Sequence, residues 1–181
     1  MSRIGKMPIT ILDGVKVTVD DNNLVTVTGP LGTLSQVVDK NITVKIEGNT
    51  ITLTRNSDEK SIRAKHGLYR ALIHNMVVGV KEGYKKYLVI NGVGYRASKQ
   101  GNKIILNIGY SNPKEVVEVE GISLNIVDNT KIEVKGINKE LVGQVASKIR
   151  DIKPVEPYHA YGIRYEDEIV IRKEGKKAGK K

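Results

Sequence analysis

An internal repeat constrains the fold of this chain more strongly than any other feature of its sequence. The segment NITVKIEGNTITLTRNSDEK, residues 41–60, recurs about 80 residues later as GISLNIVDNTKIEVKGINKE, residues 121–140, and each copy precedes a helical stretch. Ile42, Val44 and Ile46 match Ile122, Leu124 and Ile126, and after one inserted residue Ile51 and Leu53 match Ile132 and Val134. Two copies at this long period do not suit a stacked array, so the repeat predicts a duplicated domain.

Each half of the chain is predicted to combine an antiparallel sheet with one main helix. Apolar residues alternate along segments such as 15–19 and 104–108, which indicates strands with one buried and one solvated face. A helix is predicted at about residues 58–78 in the first half and at about residues 138–151 in the second. The predicted fold class is therefore α+β, with two repeated sheet-and-helix domains.

The domain boundaries are predicted from helix ends and from breaks in the apolar pattern. The second helix has an apolar stripe of Val142, Val145, Ile149 and Ile152. Pro154 prevents this helix from continuing, and Gly79 and Gly83 mark a short linker between the halves. We predict an N-terminal repeat at residues 1–81, a C-terminal repeat at residues 82–153, and a C-terminal arm at residues 154–181.

The C-terminal segment carries the residue types that bind RNA. Pro154 and Pro157 fix φ and remove backbone donors, which favours an extended, stiff arm. The rings of Tyr158, Tyr161 and Tyr165 can stack on bases, and the guanidinium of Arg164 can pair with phosphate. A terminal strand with ordinary core tyrosines is the alternative interpretation.

The charge of the chain also favours a polyanion partner. The 30 basic and 20 acidic residues give a formal net charge of +10, and the excess is densest after residue 152. The candidate phosphate-binding residues there are Lys153, Arg172, Lys173, Lys176, Lys177, Lys180 and Lys181. Beside the tyrosines we interpret this basic end as an RNA contact, although a solubilising fringe has the same composition.

The run PYHAYGIRYEDE, followed by RKEGKK, resembles the C-terminal signature of the bacterial large-subunit ribosomal protein six family. The resemblance extends to MSRIGKMPI at the start, GPLG at residues 29–32, AKHGLYRALIHNMVVGV at residues 64–80 and NGVGYRA at residues 91–97. One departure is that His159, Ala160 and Tyr161 stand where the family usually has lysine, glycine and lysine. Two positive charges are therefore missing at this point.

The resemblance implies a structural constituent of the large subunit that is not an enzyme and has no cofactor. It implies binding to 23S rRNA near the base of the acidic stalk, close to the docking region of translational GTPases. It also implies that the second domain and the arm make most RNA contacts, while the first domain faces neighbouring ribosomal proteins. The residues carried over are Tyr158, Gly162, Ile163, Arg164 and Tyr165.

Further cationic or polar residues are candidates for RNA contacts outside that signature. Arg63, Lys65 and Arg70, with His74, cluster on one side of the first predicted helix. The remaining candidates are Lys85, Lys86, Arg96, His159 and Tyr161. For the helix cluster, an ordinary solvated face is the alternative.

Catalytic and redox functions find little support in the sequence. The G-x-G-x-x-A pattern of Gly92, Gly94 and Ala97 leads into an alternating strand, whereas a dinucleotide site needs a helix there. His66 and His74 are too far apart on a helix to share a metal ion. Two alternatives stay open: a noncatalytic protein-interaction module with an incidental basic tail, and a small hydrolase that uses the acidic run 166–168.

The expected location is the cytoplasm, in the ribosome. The chain has no cysteine, no signal-peptide core near Arg3 and Lys6, and no apolar run that approaches a membrane span. We therefore expect no membrane partner and no small-molecule substrate.

Overall fold

The computed structural model describes residues 3–176, and it divides the chain into two compact units. The first unit contains the chain up to Tyr84 together with Ile137–Lys139, and the second contains Lys85–Gly136 and the chain from Glu140 onward. Each unit has antiparallel strands in two small sheets and one long helix. The predicted α+β class with two repeated sheet-and-helix domains is confirmed.

The first unit is built from two three-stranded sheets and helix α2. Its elements are α1 (Arg3–Lys6), β1 (Ile9–Thr10), β2 (Lys16–Val19), β3 (Leu24–Gly29), β4 (Gly32–Val37), β5 (Ile42–Glu47), β6 (Thr50–Arg55) and α2 (Lys60–Lys81). The sheet orders are β1-β6-β5 and β2-β3-β4. Inward residues of the strands, such as Val27 and Ile51, share one core with Ile73 and Val77 of α2.

The second unit repeats this plan with one additional strand. Its elements are β7 (Tyr84–Asn91), β8 (Arg96–Gln100), β9 (Lys103–Asn107), β10 (Lys114–Val117), β11 (Ile122–Asp128), β12 (Lys131–Gly136), α3 (Lys139–Ile152) and β13 (Gly162–Tyr165). The sheet orders are β10-β9-β8 and β11-β12-β7-β13. Val142, Val145 and Ile149 of α3 are buried, as the apolar stripe predicted, and Ala146 is buried between them.

The hairpins β5–β6 and β11–β12 explain the sequence repeat in structural terms. The first pairs Ile46 with Ile51, whereas the second pairs Ile126 with Ile132. A register shift between Ile126 and Asp128 takes up the one inserted residue as a β-bulge. The insertion therefore changes one strand locally and leaves the order of elements intact.

The C-terminal segment differs from the expected projecting arm. Gly162–Tyr165 forms the edge strand β13, antiparallel to β7, and Ile163 is fully buried. The backbone N–H of Ile163 also donates to the carbonyl of Lys153 at 2.8 Å. A buried isoleucine beside an available edge of β7 explains why this part of the segment joins the sheet. For these four residues the terminal-strand alternative applies.

None of the helices within residues 3–176 is long and apolar enough to cross a membrane.

Candidate nucleic-acid interface

A tight turn before β13 positions the first candidate residues. Ala160 has φ 62°, and its carbonyl oxygen accepts a hydrogen bond from Nδ2 of Asn91 at 2.8 Å. The backbone N–H of Glu156 donates to the carbonyl of Tyr161 at 3.0 Å. Because positive φ favours glycine, the structure explains why the resembling family usually has glycine at this position. The turn is fixed by hydrogen bonds at both ends.

Gly162 contributes through its backbone. It has φ 142°, and a Cβ placed on it would lie 2.7 Å from the carbonyl oxygen of Pro154 and 2.8 Å from that of Lys153. The absence of a side chain therefore lets β13 approach the end of α3 closely. Among the candidate RNA-binding residues, Gly162 shapes the surface from a buried position.

Three rings form a row beside this turn. The rings of His159 and Tyr161 are stacked, with centroids 5.3 Å apart and an interplanar angle of 22°. The ring of Tyr95 lies on Tyr161 in a tilted arrangement, with centroids 6.4 Å apart. Gly92 and Gly109 lie against the Tyr95 ring, where a side chain would collide with it. We call Tyr95, Tyr161 and His159 the aromatic row.

Tyr165 is placed differently from the other tyrosines of the segment. Its ring is half-buried, and Lys86 Nζ and the Arg150 guanidinium each lie 5.5 Å from the ring centroid. Such cation–π contacts stabilise the position of the ring. Tyr165 therefore connects β13 to Lys86 of β7 and to Arg150 near the end of α3, whereas Tyr158 is 52% exposed.

Arg164 is half-buried and folds over the loop that follows β13. Its Nη1 donates to the carbonyl oxygen of Glu168 at 3.0 Å, with longer contacts to the carbonyls of Tyr165 and Glu166. Within residues 3–176 the side-chain hydrogen bonds of Arg164 all come from Nη1. The structure thus gives Arg164 a loop-positioning role in addition to its predicted phosphate contact.

The acidic run 166–168 is tied to basic residues from three other elements. Glu166 pairs with Lys131, Asp167 Oδ2 lies 3.6 Å from Lys86 Nζ, and Glu168 pairs with Arg150. The hydrogen bond from Arg150 holds the pKa of Glu168 below its ordinary value, with further lowering by the Tyr165 backbone N–H. These contacts tie each residue of the acidic run to a basic side chain. An ionised, paired carboxylate at Glu168 does not suit a general acid.

The described part of the basic tail is exposed and returns to the turn. Arg172, Lys173 and Lys176 are all exposed, and the Lys173 backbone N–H donates to the carbonyl of Pro157 at 2.8 Å. This bond brings the tail next to the segment that carries the aromatic row. The predicted contacts Lys177, Lys180 and Lys181 lie outside the described residues.

Lys153 lies at the end of α3, beside Tyr110. Its Nζ is 4.6 Å from the Tyr110 ring centroid, and the Tyr110 hydroxyl donates to the carbonyl of Ile152 at 2.8 Å. Lys114 Nζ lies 5.3 Å from the same centroid. The exposed ring of Tyr110 therefore contacts two lysines, Lys153 and Lys114.

Two of the candidates on α2 have structural partners within the first unit. Lys65 forms an ion pair with Asp39 at 2.6 Å, and this hydrogen bond lowers the pKa of Asp39. Arg70 donates to the carbonyls of Met7 and Pro8, each at 3.1 Å. Both side chains therefore hold neighbouring segments in place.

The other candidates on α2 and at the start of the second unit differ in exposure and pairing. Arg63 and His74 are exposed, and partial burial, followed by the charges of Arg70 and Lys139, lowers the pKa of His74. Lys85 Nζ lies 3.8 Å from Glu133, and Arg96 is exposed on β8. The cluster predicted on α2 is thus divided between paired and exposed side chains.

Sequence reasoning missed Tyr95 and Tyr110 as parts of this surface. Tyr95 lies in the segment 91–97, whose glycine pattern and family resemblance give the tyrosine itself no role, and Tyr110 follows β9. Their partners Tyr161 and Lys153 are more than 40 residues away in sequence. A tyrosine next to positive-φ glycines, as at Gly94 and Gly109, was the only local signal.

Together these features define an α+β protein of two repeated units with a cationic, aromatic-rich C-terminal surface. The family model described as "Ribosomal protein L6" matches residues 11–83 and 91–166 of the chain. The chain is 56% identical over 176 residues to the large ribosomal subunit protein uL6 of Shouchella clausii, covering 97% of this chain and 98% of that protein. It is 51% identical to uL6 of Clostridium botulinum strain Langeland and 52% identical to uL6 of Clostridium kluyveri, each over 181 residues and the full length of both chains.

The chain belongs to the ribosomal protein L6 family, as its resemblance suggested. It is therefore a structural constituent of the large ribosomal subunit, with rRNA and ribosomal proteins as its class of partners, and it is not an enzyme. In bacteria this family is found in the ribosome, in the cytoplasm. The hydrolase interpretation of the acidic run is excluded by this assignment.

Proposed function

We propose that this protein binds 23S rRNA through the C-terminal surface of its second unit. The proposed location is near the base of the acidic stalk, close to the docking region of translational GTPases, as the resemblance to the family implies. The observation that carries the proposal is the exposed set of Arg172, Lys173 and Lys176, held beside the aromatic row by the Lys173–Pro157 backbone bond. Cations next to rings match the two chemistries of RNA, phosphates and bases.

The difference between cations that already have protein partners and cations that are exposed supports the C-terminal surface as the RNA-binding surface. Among the candidates of the first unit, Lys65 and Arg70 are occupied by Asp39 and by backbone carbonyls, whereas Arg63 is exposed. In the second unit, the acidic run neutralises Lys86, Lys131 and Arg150, while the tail cations project into solvent. The acidic pairs stabilise the scaffold and leave the tail for phosphate contacts.

The first unit is proposed to face neighbouring large-subunit proteins. Its exposed apolar residues include Met7, Leu68 and Val37, with exposed fractions of 56%, 54% and 60%. Such residues are more suited to a protein neighbour than to phosphates. The alternative of a protein-interaction module with an incidental basic tail would extend this role to the whole chain.

Charge neutralisation with a matched control separates the two alternatives. The test variant changes Arg172, Lys173 and Lys176 to glutamine. The control changes Lys16, Lys40 and Lys45, which are exposed in the first unit, to glutamine and removes the same charge. Binding to a 3′-terminal fragment of 23S rRNA is measured over a salt series.

The proposed function predicts that only the tail variant loses rRNA affinity strongly. Its salt slope should fall by about 0.7–0.9 log units for each phosphate that the variant no longer neutralises. Equal small losses in both variants would contradict the proposal and favour the protein-interaction module.

A further inference from the structure

We propose that the aromatic row is a stacking site for one unpaired nucleobase of the rRNA, with His159 as the ring that receives the base. This inference rests on the proposed rRNA-binding function and adds a specific contact to it. The chain would thus replace with stacking the two charges that the resembling family usually places at residues 159 and 161.

The geometry provides a row with one open end. The Tyr161 ring contacts both other rings: the Tyr95 ring is tilted against it, and the His159 ring is nearly parallel to it. The side chain of His159 is 70% exposed, so the outer face of its ring is the end of the row that meets solvent. Planar bases stack on such faces without regard to sequence, provided that the base is unpaired.

The His159 ring is held in position before any ligand arrives. Its Nδ1 lies 3.1 Å from Oε1 of Glu156, and its backbone N–H donates to the same oxygen at 3.0 Å. Since a carboxylate only accepts, Nδ1 carries a proton. Ala160 is anchored to Asn91 immediately afterwards. A ring that is already oriented loses little side-chain freedom when a base stacks on it.

Groups beside the aromatic row can contact the phosphate and the ribose of the nucleotide whose base stacks on His159. The Lys173–Pro157 backbone bond brings exposed cations next to the turn, so a phosphate can be neutralised while its base lies on His159. In the neutral ring, Nε2 of His159 is an acceptor, and no hydrogen bond within the described residues uses it. A ribose 2′-hydroxyl at the edge of the ring can therefore donate to Nε2.

The test uses the full chain and the same 3′-terminal 23S rRNA fragment. His159→Ala removes the receiving ring from an exposed position. Val119→Ala is the matched control, because it also truncates an exposed side chain of the second unit, at a residue with no proposed role in binding. We expect His159→Ala to weaken binding about five- to thirtyfold with an unchanged salt slope. We expect Val119→Ala to stay within about twofold.

A second readout reports stacking directly. The chain has no tryptophan, so Tyr161→Trp introduces a single fluorescent indole into the row. Addition of the rRNA fragment should quench this indole, and the quenching should be reduced when His159→Ala is combined with it. The variant H159K/Y161K should instead bind with a salt slope steeper by about 0.7–0.9 for each additional phosphate that it neutralises.

The outcomes distinguish failure of this inference from failure of the proposed function. If the unaltered chain prefers the 23S fragment but His159→Ala behaves like Val119→Ala and the indole is not quenched, the stacking site is overturned alone. If the unaltered chain shows no preference for the fragment over an unrelated RNA, the proposed function and this inference fail together.

Discussion

Arg150 and Glu168 form a two-bond ion pair in which Nε lies 3.0 Å from Oε2 and Nη2 lies 2.7 Å from Oε1. The pair connects the last turns of α3 to the loop after β13. Glu168 Oε2 also accepts the backbone N–H of Tyr165 at 3.1 Å. The acidic run thus binds β13 to α3 of the second unit. These bonds also orient the C-terminal surface that we propose contacts RNA.

The Glu168 pair should make stability depend on pH in the acidic range. The hydrogen bond from Arg150 lowers the folded-state pKa of Glu168 below its ordinary value of 4.5. The stabilisation is therefore complete above the unfolded pKa and is lost as pH falls through the folded pKa. We expect Glu168→Gln to cost about 1 kcal/mol at pH 7. The difference between the two proteins in urea unfolding should shrink below pH 4.5; a constant difference would contradict the assignment.

Gly162 should tolerate no side chain. Gly162→Ala places a methyl group against the carbonyl of Pro154, 2.7 Å away, at φ 142°. We expect a loss of about 2–4 kcal/mol in the free energy of unfolding. Ala160→Gly is the companion variant, because relief of positive φ offsets the loss of a buried methyl, and the change should stay within about 1 kcal/mol. Equal effects of the two variants would refute this explanation of the turn.

Arg164 should affect both the loop and RNA affinity. Arg164→Ala removes the donor to the Glu168 carbonyl, and we expect a loss of about 1 kcal/mol in stability. If its remaining donors meet phosphate, rRNA affinity should also fall more than in Lys135→Ala, an exposed lysine of β12. Thermal unfolding and rRNA binding measure the two effects separately. Binding losses no larger than those of the lysine control would remove Arg164 from the interface.

Two truncations should divide the C-terminal segment into a folded part and a binding part. Removal of residues 169–181 leaves β13 and the Arg150–Glu168 pair, so thermal unfolding should change little while rRNA affinity falls. Removal of residues 153–181 also deletes the buried Ile163, and we expect a loss of about 3 kcal/mol or more. Circular dichroism melts of both variants check this division. Similar melting temperatures for the two would show that β13 is dispensable.

Sequence patterns were sufficient for the parts of the fold that depend on local periodicity. The repeat and the stripe of Val142, Val145 and Ile149 predicted both units and the face of α3. Helix α2 continues to Lys81, three residues beyond its predicted end, because Gly83 supplies the positive φ that ends it.

The parts that could not be predicted depend on contacts between distant segments. The pairing of β13 with β7 joins Ile163 to Ile90, and no local pattern reveals that this edge is available. The ion partners of the acidic run lie on β7, β12 and α3, and the stacked rings of His159 and Tyr161 flank Ala160, which has positive φ. The sequence therefore predicted which residue types lie at the site, but it did not predict which partners those residues contact.

The central claim is that the second unit recognises 23S rRNA specifically. The most direct test measures equilibrium binding of the unaltered chain to the 3′-terminal 23S fragment and to an equally long unrelated structured RNA across a salt series. We predict a preference for the 23S fragment that persists as salt rises, with a slope that corresponds to several phosphates at about 0.7–0.9 log units each. Equal affinities that disappear together as salt rises would contradict the claim, because they would indicate charge attraction alone.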